Sequence, residues 1–467
     1  MKRVHRGTDR REFLKGSVVT VFAGLTAAGL SPGSGQGRAT ASRPNILLIF
    51  SDDQGMGDLS CYGHSDIPTP NLDRLASDGV RMSQFYAAAP VCTPSRFGLL
   101  TGMAPNRSRD SLIGPLMFAQ DSDKSRGIRE HEVTLASMLK SVGYSTGLIG
   151  KWHLGHGDPR FFPLRHGFDS FIGLTGGCID YWKYAYGNIP DWYRNEDRVD
   201  CRGYATDVLA DEAVAWLQEH RTGPFFLYLS FNSPHYGKGW DAEKQEFRNV
   251  LQAPPELMAK FSGIKNEKRR TYAAMVTSLD MAIGRVLQSL DENGLAENTF
   301  VIFISDNGAD PNYGGSNRPF RGAKATHLEG GIRVPCLMRF PGRLPAGCVS
   351  YQVGSCLDIV PTLASLTGFR LAQQPLDGHD LGPALFTGRT FERDLFFFAP
   401  ARGGAYRSGR WKMVSLPSTG GQPGETGLYD LETDALESNN LAAQYPEKVS
   451  WLKDLHLIFE KKIARGD

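Results

Sequence analysis

No two of the seven cysteines stand at the close spacing that holds a structural metal, and no apolar run is long enough to span a bilayer. Internal repeats are missing, as is any long low-complexity tract past the first forty residues, so solenoid and linker-type chains are excluded. Charge of one sign is lacking too, with 52 basic against 50 acidic side chains. Residues 1–41 alone hold seven basic residues (Lys2, Arg3, Arg6, Arg10, Arg11, Lys15, Arg38) and two acidic ones (Asp9, Glu12), so the formal +2 becomes −3 for the remainder. Nothing in that balance argues for a nucleic-acid partner.

What is present begins with an N-terminal segment of distinct texture. Arg10 and Arg11 in "RREFLKG" precede the apolar "SVVTVFAGLTAAGL", and "ATA" closes the segment at Ala41. This is the pattern of a twin-arginine-type signal peptide over 1–41, the alternative being a buried N-terminal helix. It predicts a periplasmic or secreted protein, passed through the twin-arginine export machinery. No cysteine follows the apolar run, so no stable membrane anchor is expected. The remaining length, in a chain that is 41% hydrophobic, allows a large core and more than one domain.

Four short apolar runs each end abruptly in polar residues. "NILLIF" leads into Asp52 and Asp53, "TGLIG" into Lys151 and His153, "FFLYLSF" into Asn232 and His235, and "TFVIFIS" into Asp306 and Asn307. Continuous runs rich in Ile, Leu and Phe predict strands buried on both faces. Helical patterns intervene: 69–79, with Thr69 as N-cap and Pro70 in the first turn; 134–143; and 268–294, closing at Asn293-Gly294. The alternation predicts an α/β domain over 42–372, a large mostly parallel sheet flanked by helices. Beyond it, over 373–467, short strand-like pieces and a closing helical stretch predict a smaller antiparallel-sheet subdomain.

Ligands of such sheets bind beyond the carboxyl ends of the strands, where all four polar clusters fall. Adjacent acids at a buried strand end repel each other and call for a cation, and all-oxygen ligation by Asp52, Asp53, Asp306 and Asn307 favours Ca2+ or Mg2+. Singly, both pairs are also common turn residues. Lys151, His153, His235 and Lys324 suit an anionic substrate, and the glycine-rich, basic 316–335 is either an anion cradle or a surface loop. Cys92, in "APVCTPSRFG", falls at a predicted helix start, where the dipole lowers a thiol's pKa. It is either a nucleophile or a buried structural cysteine. Its six companions allow fifteen disulfide pairings, among which the sequence does not choose. The aromatic stretches "GGCIDYWKYAYGN" and "DWYRNED" either stack on sugar rings or pack among themselves.

"CTPSRFGLLTG" resembles the Cys-x-Pro-Ser-Arg signature of the type I sulfatases, of the alkaline-phosphatase-like superfamily, and "SDDQG", "GKWHLG", "SDNG", "RGAK" and "EGGIRVP" fit the same family in the same order. The resemblance implies oxidation of Cys92 to Cα-formylglycine by a formylglycine-generating maturation enzyme. It implies Ca2+ held by Asp52, Asp53, Asp306, Asn307 and the oxygen at position 92. Arg96 would hold the formylglycine hydrate, Lys151 would bridge hydrate and sulfate, His153 would accept the proton that lets sulfate go, and His235 and Lys324 would contact sulfate and assist the leaving oxygen. Ala323 and Ala325 stand where glycine is expected. The implied activity is sulfate-ester hydrolysis, with a sulfated carbohydrate as the expected substrate. Alternatives are a broad arylsulfatase, a phosphonate monoester or phosphodiester hydrolase of the same superfamily, and a non-catalytic protein that kept the fold.

Overall fold

The computed structural model describes residues 43–109, 111–371, 375–399, 403–415 and 424–466. The signal-type segment and the expected boundary at 372/373 lie outside the described residues. Among the described residues no helix is long and apolar enough to cross a membrane.

The four apolar runs form the middle of a ten-stranded sheet. Strands Thr299–Ser305, Asn45–Ser51, Phe225–Ser230, Ser145–Lys151 and Ser170–Leu174 lie side by side and parallel. Cys336–Arg339 adds antiparallel to Thr299–Ser305, and Tyr193–Arg194 adds antiparallel at the other flank. Register fixes where these strands stop: Ser51 pairs with Ser305, Phe50 with Ser230, and Ser230 with Gly150. The strands therefore end level, and the residues after each end emerge along one edge.

Along Asn45–Ser51, Ile46, Leu48 and Phe50 pack into one hydrophobic core, while Leu47 and Ile49 pack into another on the opposite face. Helix Glu267–Glu292 covers the second face with Met275, Leu279, Ile283 and Val286. The Asn266 side chain caps its start by accepting from the Arg269 N–H, and Gly294, at φ +65°, follows its end. Helix Pro70–Ser77 also forms as expected, but Thr69 does not cap it; its hydroxyl accepts from the Ser60 N–H at 3.0 Å.

The C-terminal pieces form a four-stranded antiparallel sheet, Asp394–Ala399, Gly403–Ser408, Trp411–Ser415 and Thr426–Asp430, with helix Pro446–Arg465 against it. The stretch "AYRSGRWKMVSL" divides into two strands turning at Gly409 and Arg410. All seven cysteines carry free thiols, so none of the fifteen pairings occurs.

Candidate active site

Level strand ends bring the four polar clusters together. Asp52 and Asp53 follow the central strand, and Asp306 and Asn307 follow its neighbour. The Asp53 N–H donates to Asp306 Oδ1 at 3.0 Å, and Asn307 Nδ2 donates to Asp53 Oδ1 at 2.7 Å. Gly308 lets the next turn close, since a Cβ there would meet the Gly330 carbonyl oxygen at 1.9 Å. Asp53 and His153 hold positive φ, a conformation Asp and His tolerate better than most residues. Ala325 does so too, at φ +70°, which explains the expectation of glycine there.

Cys92 is the first residue of helix Cys92–Thr101, as the sequence predicts, and its thiol donates to Asp52 Oδ1 at 3.3 Å. The expected depression of its pKa does not occur. Burial, then the carboxylates of Asp306 and Asp52, push the thiol well up, outweighing the helix start, Lys151 and Lys324. As a thiol, residue 92 is a protonated, weak nucleophile.

Three cations enclose it. Lys151 Nζ donates to Asp52 Oδ2 at 2.5 Å, Lys324 Nζ to Asp53 Oδ2 at 2.7 Å, and fully buried Arg96 pairs with Asp306 Oδ2 at 3.1 Å. Arg96 is further fixed through Ser230 Oγ at 2.6 Å and the Lys151 carbonyl at 3.2 Å. Burial alone would raise Asp52, but the charges of Lys151 and Arg96 hold it well below the usual carboxylate range. Asp306 goes the other way, pushed up to about 7 by burial and by the charge of Asp52.

Both histidines are buried and neutral. His235 is pushed down to about 4 by burial and by Lys324; its Nδ1–H donates to the Tyr236 carbonyl at 2.7 Å, and Nε2 faces Asp53 Oδ2 at 3.5 Å. His153 is pushed well down by burial and Lys151; its Nε2–H donates to the Leu116 carbonyl at 2.9 Å, leaving Nδ1 as an unshared lone pair.

The site gathers a cluster that could hold a metal ion. Ligand atoms of Asp52, Asp53, Cys92 and His235 lie within 4.8 Å of one another, and the buried Asn307 Oδ1 has no hydrogen-bond partner. Burial, and then the charge of Asp52, raise Asp306, and a bound ion would offset that crowding of acids. The sequence did not single out His235 as a member of this cluster.

Cys92, His153, His235 and Lys324 open onto a cavity of about 260 Å3. A larger cleft of about 870 Å3 is lined by Arg269, Asn312 and Arg318. The aromatic stretches mostly pack: Tyr181 stacks on Tyr204 at 5.2 Å and Tyr184 meets Trp192 at 4.8 Å, while Tyr186 lines the cavity. Sequence reasoning also missed Ser230, Tyr236, Lys238 and Tyr272, whose hydroxyl donates to the Asp53 carbonyl at 2.9 Å. Only Ser230 left a usable signal, as the polar end of an apolar strand.

The lysine of the glycine-rich loop is seated from both sides. Lys324 N–H donates to the Ala309 carbonyl at 3.1 Å and Ala325 N–H to the Pro90 carbonyl at 2.8 Å. Arg321 donates to the Glu437 carbonyl at 2.8 Å, and Glu437 Oε2 accepts from the Glu329 N–H at 2.6 Å. Lys412 of the C-terminal sheet lies fully buried between Glu329, at 2.8 Å, and Glu437, at 2.9 Å.

A mostly parallel sheet whose carboxyl edge gathers an acidic quartet, cations and histidines around one helix start has the architecture of the alkaline-phosphatase-like hydrolases. Residues 44–369 match the family described as Sulfatase. The chain is 38% identical over 398 residues to N-acetylgalactosamine-6-sulfatase of Canis lupus familiaris, covering 80% of this chain and 71% of the relative. It is 33% identical over 481 residues to arylsulfatase A of Homo sapiens, covering 90% and 89%. Its fold is similar, with TM-score 0.80 and 31% identity, to the crystal structure of Ps i-CgsB in complex with k-i-k-neocarrahexaose, covering 91% of this chain and 94% of that one. The chain belongs to the sulfatase family and is a sulfuric ester hydrolase.

Proposed function

We propose that the protein hydrolyses sulfate esters of carbohydrates, with residue 92 as nucleophile. The observation that carries this is the position of Cys92, at a helix start between the acidic quartet and the ammonium groups of Lys151 and Lys324. The carbohydrate preference is supported by the names of the similar proteins, an N-acetylgalactosamine-6-sulfatase and a carrahexaose complex.

Ca2+ held by Asp52, Asp53, Asp306, Asn307 and the oxygen at position 92 would offset the crowded acids and polarise the sulfate. Cα-formylglycine, made from Cys92 by a maturation enzyme and hydrated, would supply two hydroxyls, one to attack sulfur and one to expel sulfate, where a thiol supplies neither. Around them Arg96, locked by Asp306, Ser230 and the Lys151 carbonyl, orients residue 92. Lys151 and Lys324 stabilise the negative charge that develops on sulfate oxygens. His153 Nδ1, unshared and unprotonated, accepts the proton whose removal releases sulfate. His235 starts neutral; an anion beside Nε2 favours the imidazolium, which then donates to the leaving oxygen. We assign catalysis to 42–372, a smaller subdomain to 373–467, and export of the folded, oxidised protein to the twin-arginine-type signal over 1–41.

Intact-mass analysis after expression beside a competent maturation system tests the first step, the expected change at residue 92 being loss of the sulfur and two hydrogens and gain of one oxygen. Sulfate release from a panel of sulfated oligosaccharides and aryl sulfates tests the second. Cys92→Ala is expected to fold and to release no sulfate above background. Near-normal turnover in that variant, or a strong preference for phosphate over sulfate in matched aryl esters, overturns the proposal.

A further inference from the structure

Lys238 lines the same cavity as Cys92, His235 and Lys324, yet it enters none of the ion pairs that hold the site together. Among the described residues it pairs with no carboxylate at salt-bridge distance. Its half-buried ammonium donates to the neutral Asn249 Oδ1 at 2.6 Å and sits 5.6 Å from the centre of the Tyr186 ring. Lysines normally carry such a charge out to water, because holding it among neutral groups forfeits solvation. Here the fold keeps it in.

The placement is built rather than incidental. Lys238 and Asn249 face each other in register across the hairpin formed by Gly237–Asp241 and Glu246–Val250. The other end of the Asn249 amide is engaged, since Nδ2 donates to the Tyr313 hydroxyl at 2.6 Å. That leaves Oδ1 aimed at the lysine. Tyr313 packs on Tyr236 at 4.3 Å, and Tyr236 on the His235 ring at 4.0 Å. The lysine is thus indexed to a site histidine through three rigid side chains. Asp310 also lines the cavity, engaged by the Asn312 N–H at 2.9 Å, and disfavours an anion near itself.

We infer that Lys238 forms a second anion subsite, selecting substrates that carry another acidic group, a sulfate or a carboxylate, close to the ester being cleaved. This rests on the carbohydrate-sulfate function proposed above. A fixed, partly desolvated ammonium discriminates between a charged group and a hydroxyl through a charge-assisted hydrogen bond, about 10- to 100-fold in kcat/KM. Because the contact lies away from the reacting sulfur, the gain falls mostly in KM.

The test uses the full, matured chain and three substrates: a monosulfated monosaccharide, the same sugar with a second sulfate, and a monosulfated disaccharide bearing a uronic acid. The wild-type protein is expected to favour at least one doubly acidic substrate, less so at high salt. In Lys238→Gln the ratio of kcat/KM for that substrate over the monoacid falls about 10- to 100-fold, and Lys238→Arg keeps most of it. A ratio within one preparation is insensitive to the folded fraction. Which doubly acidic substrate is preferred identifies the second group as sulfate or carboxylate. Cleavage of all three sugars with ratios unchanged in Lys238→Gln overturns the subsite alone. Turnover of aryl sulfates with none of the sugars overturns the carbohydrate reading and the subsite with it.

Discussion

The ammonium of Lys324 stands 3.7 Å from the sulfur of Cys92, although 232 residues separate them in the chain. The same nitrogen neutralises Asp53 at 2.7 Å. Removing it as Lys324→Met therefore withdraws positive charge from the reacting group and leaves an acid partly uncompensated. The expected loss in kcat/KM toward a sulfate ester is about 10²- to 10³-fold, the size of losing one oxyanion donor. Steady-state kinetics on a soluble aryl sulfate measure it.

Asp306 joins two functions, accepting from the Asp53 N–H and pairing with Arg96. Asp306→Ala should lower bound metal and activity together, with metal content measured by elemental analysis after gel filtration. Full activity after thorough chelation of the wild-type protein would contradict the metal proposal.

Lys412 is the only cation paired with both Glu329 and Glu437 among the described residues. Lys412, Arg333 and Arg407 outweigh burial to hold Glu329 down at about 2, so losing the lysine strands buried negative charge. Lys412→Met is expected to cost about 3–5 kcal/mol of stability, read from urea unfolding. Glu329→Gln combined with Lys412→Met should recover part of that loss.

His166 stacks on Trp152 at 5.8 Å and donates from Nε2 to the Arg160 carbonyl at 3.1 Å. Burial pushes it down to about 4, whereas the unfolded chain titrates near the ordinary value of about 6.5. Between those values the unfolded state binds the extra proton, so stability is complete above the upper one and declines as pH falls toward the lower one. Unfolding midpoints at a series of pH values across this window should fall steadily, and His166→Gln should flatten part of that slope. An unchanged slope in the variant would place the acid sensitivity elsewhere.

The sheet was legible because strands buried on both faces must be continuously apolar, so "NILLIF" and "TFVIFIS" announce themselves. The acids and histidines were legible because each directly follows such a run. Level register then did what local sequence does not display: it set Ser51 beside Ser305 and Ser230 beside Phe50, one residue short of them, and with Ser230 came the anchor of Arg96. The thiol expectation failed because a local cue, the helix start, was outweighed by burial and then by the charges of Asp306 and Asp52, all of which only the fold imposes on Cys92. Lys238 left no signal, since its hairpin is a polar, half-buried strand pair with no apolar run to mark it. Thr69 looks like a cap by composition, but its hydroxyl had a nearer donor in Ser60.

The buried triad of Glu329, Lys412 and Glu437 makes the last strands of the chain answerable for where Lys324 sits. A deletion that spared every residue around Cys92 but removed the C-terminal sheet would unseat Arg321 and, with it, the loop that carries that lysine. The distal sheet is in this sense a buttress: grafting it from a relative should succeed only when positions 329, 412 and 437 travel as a set.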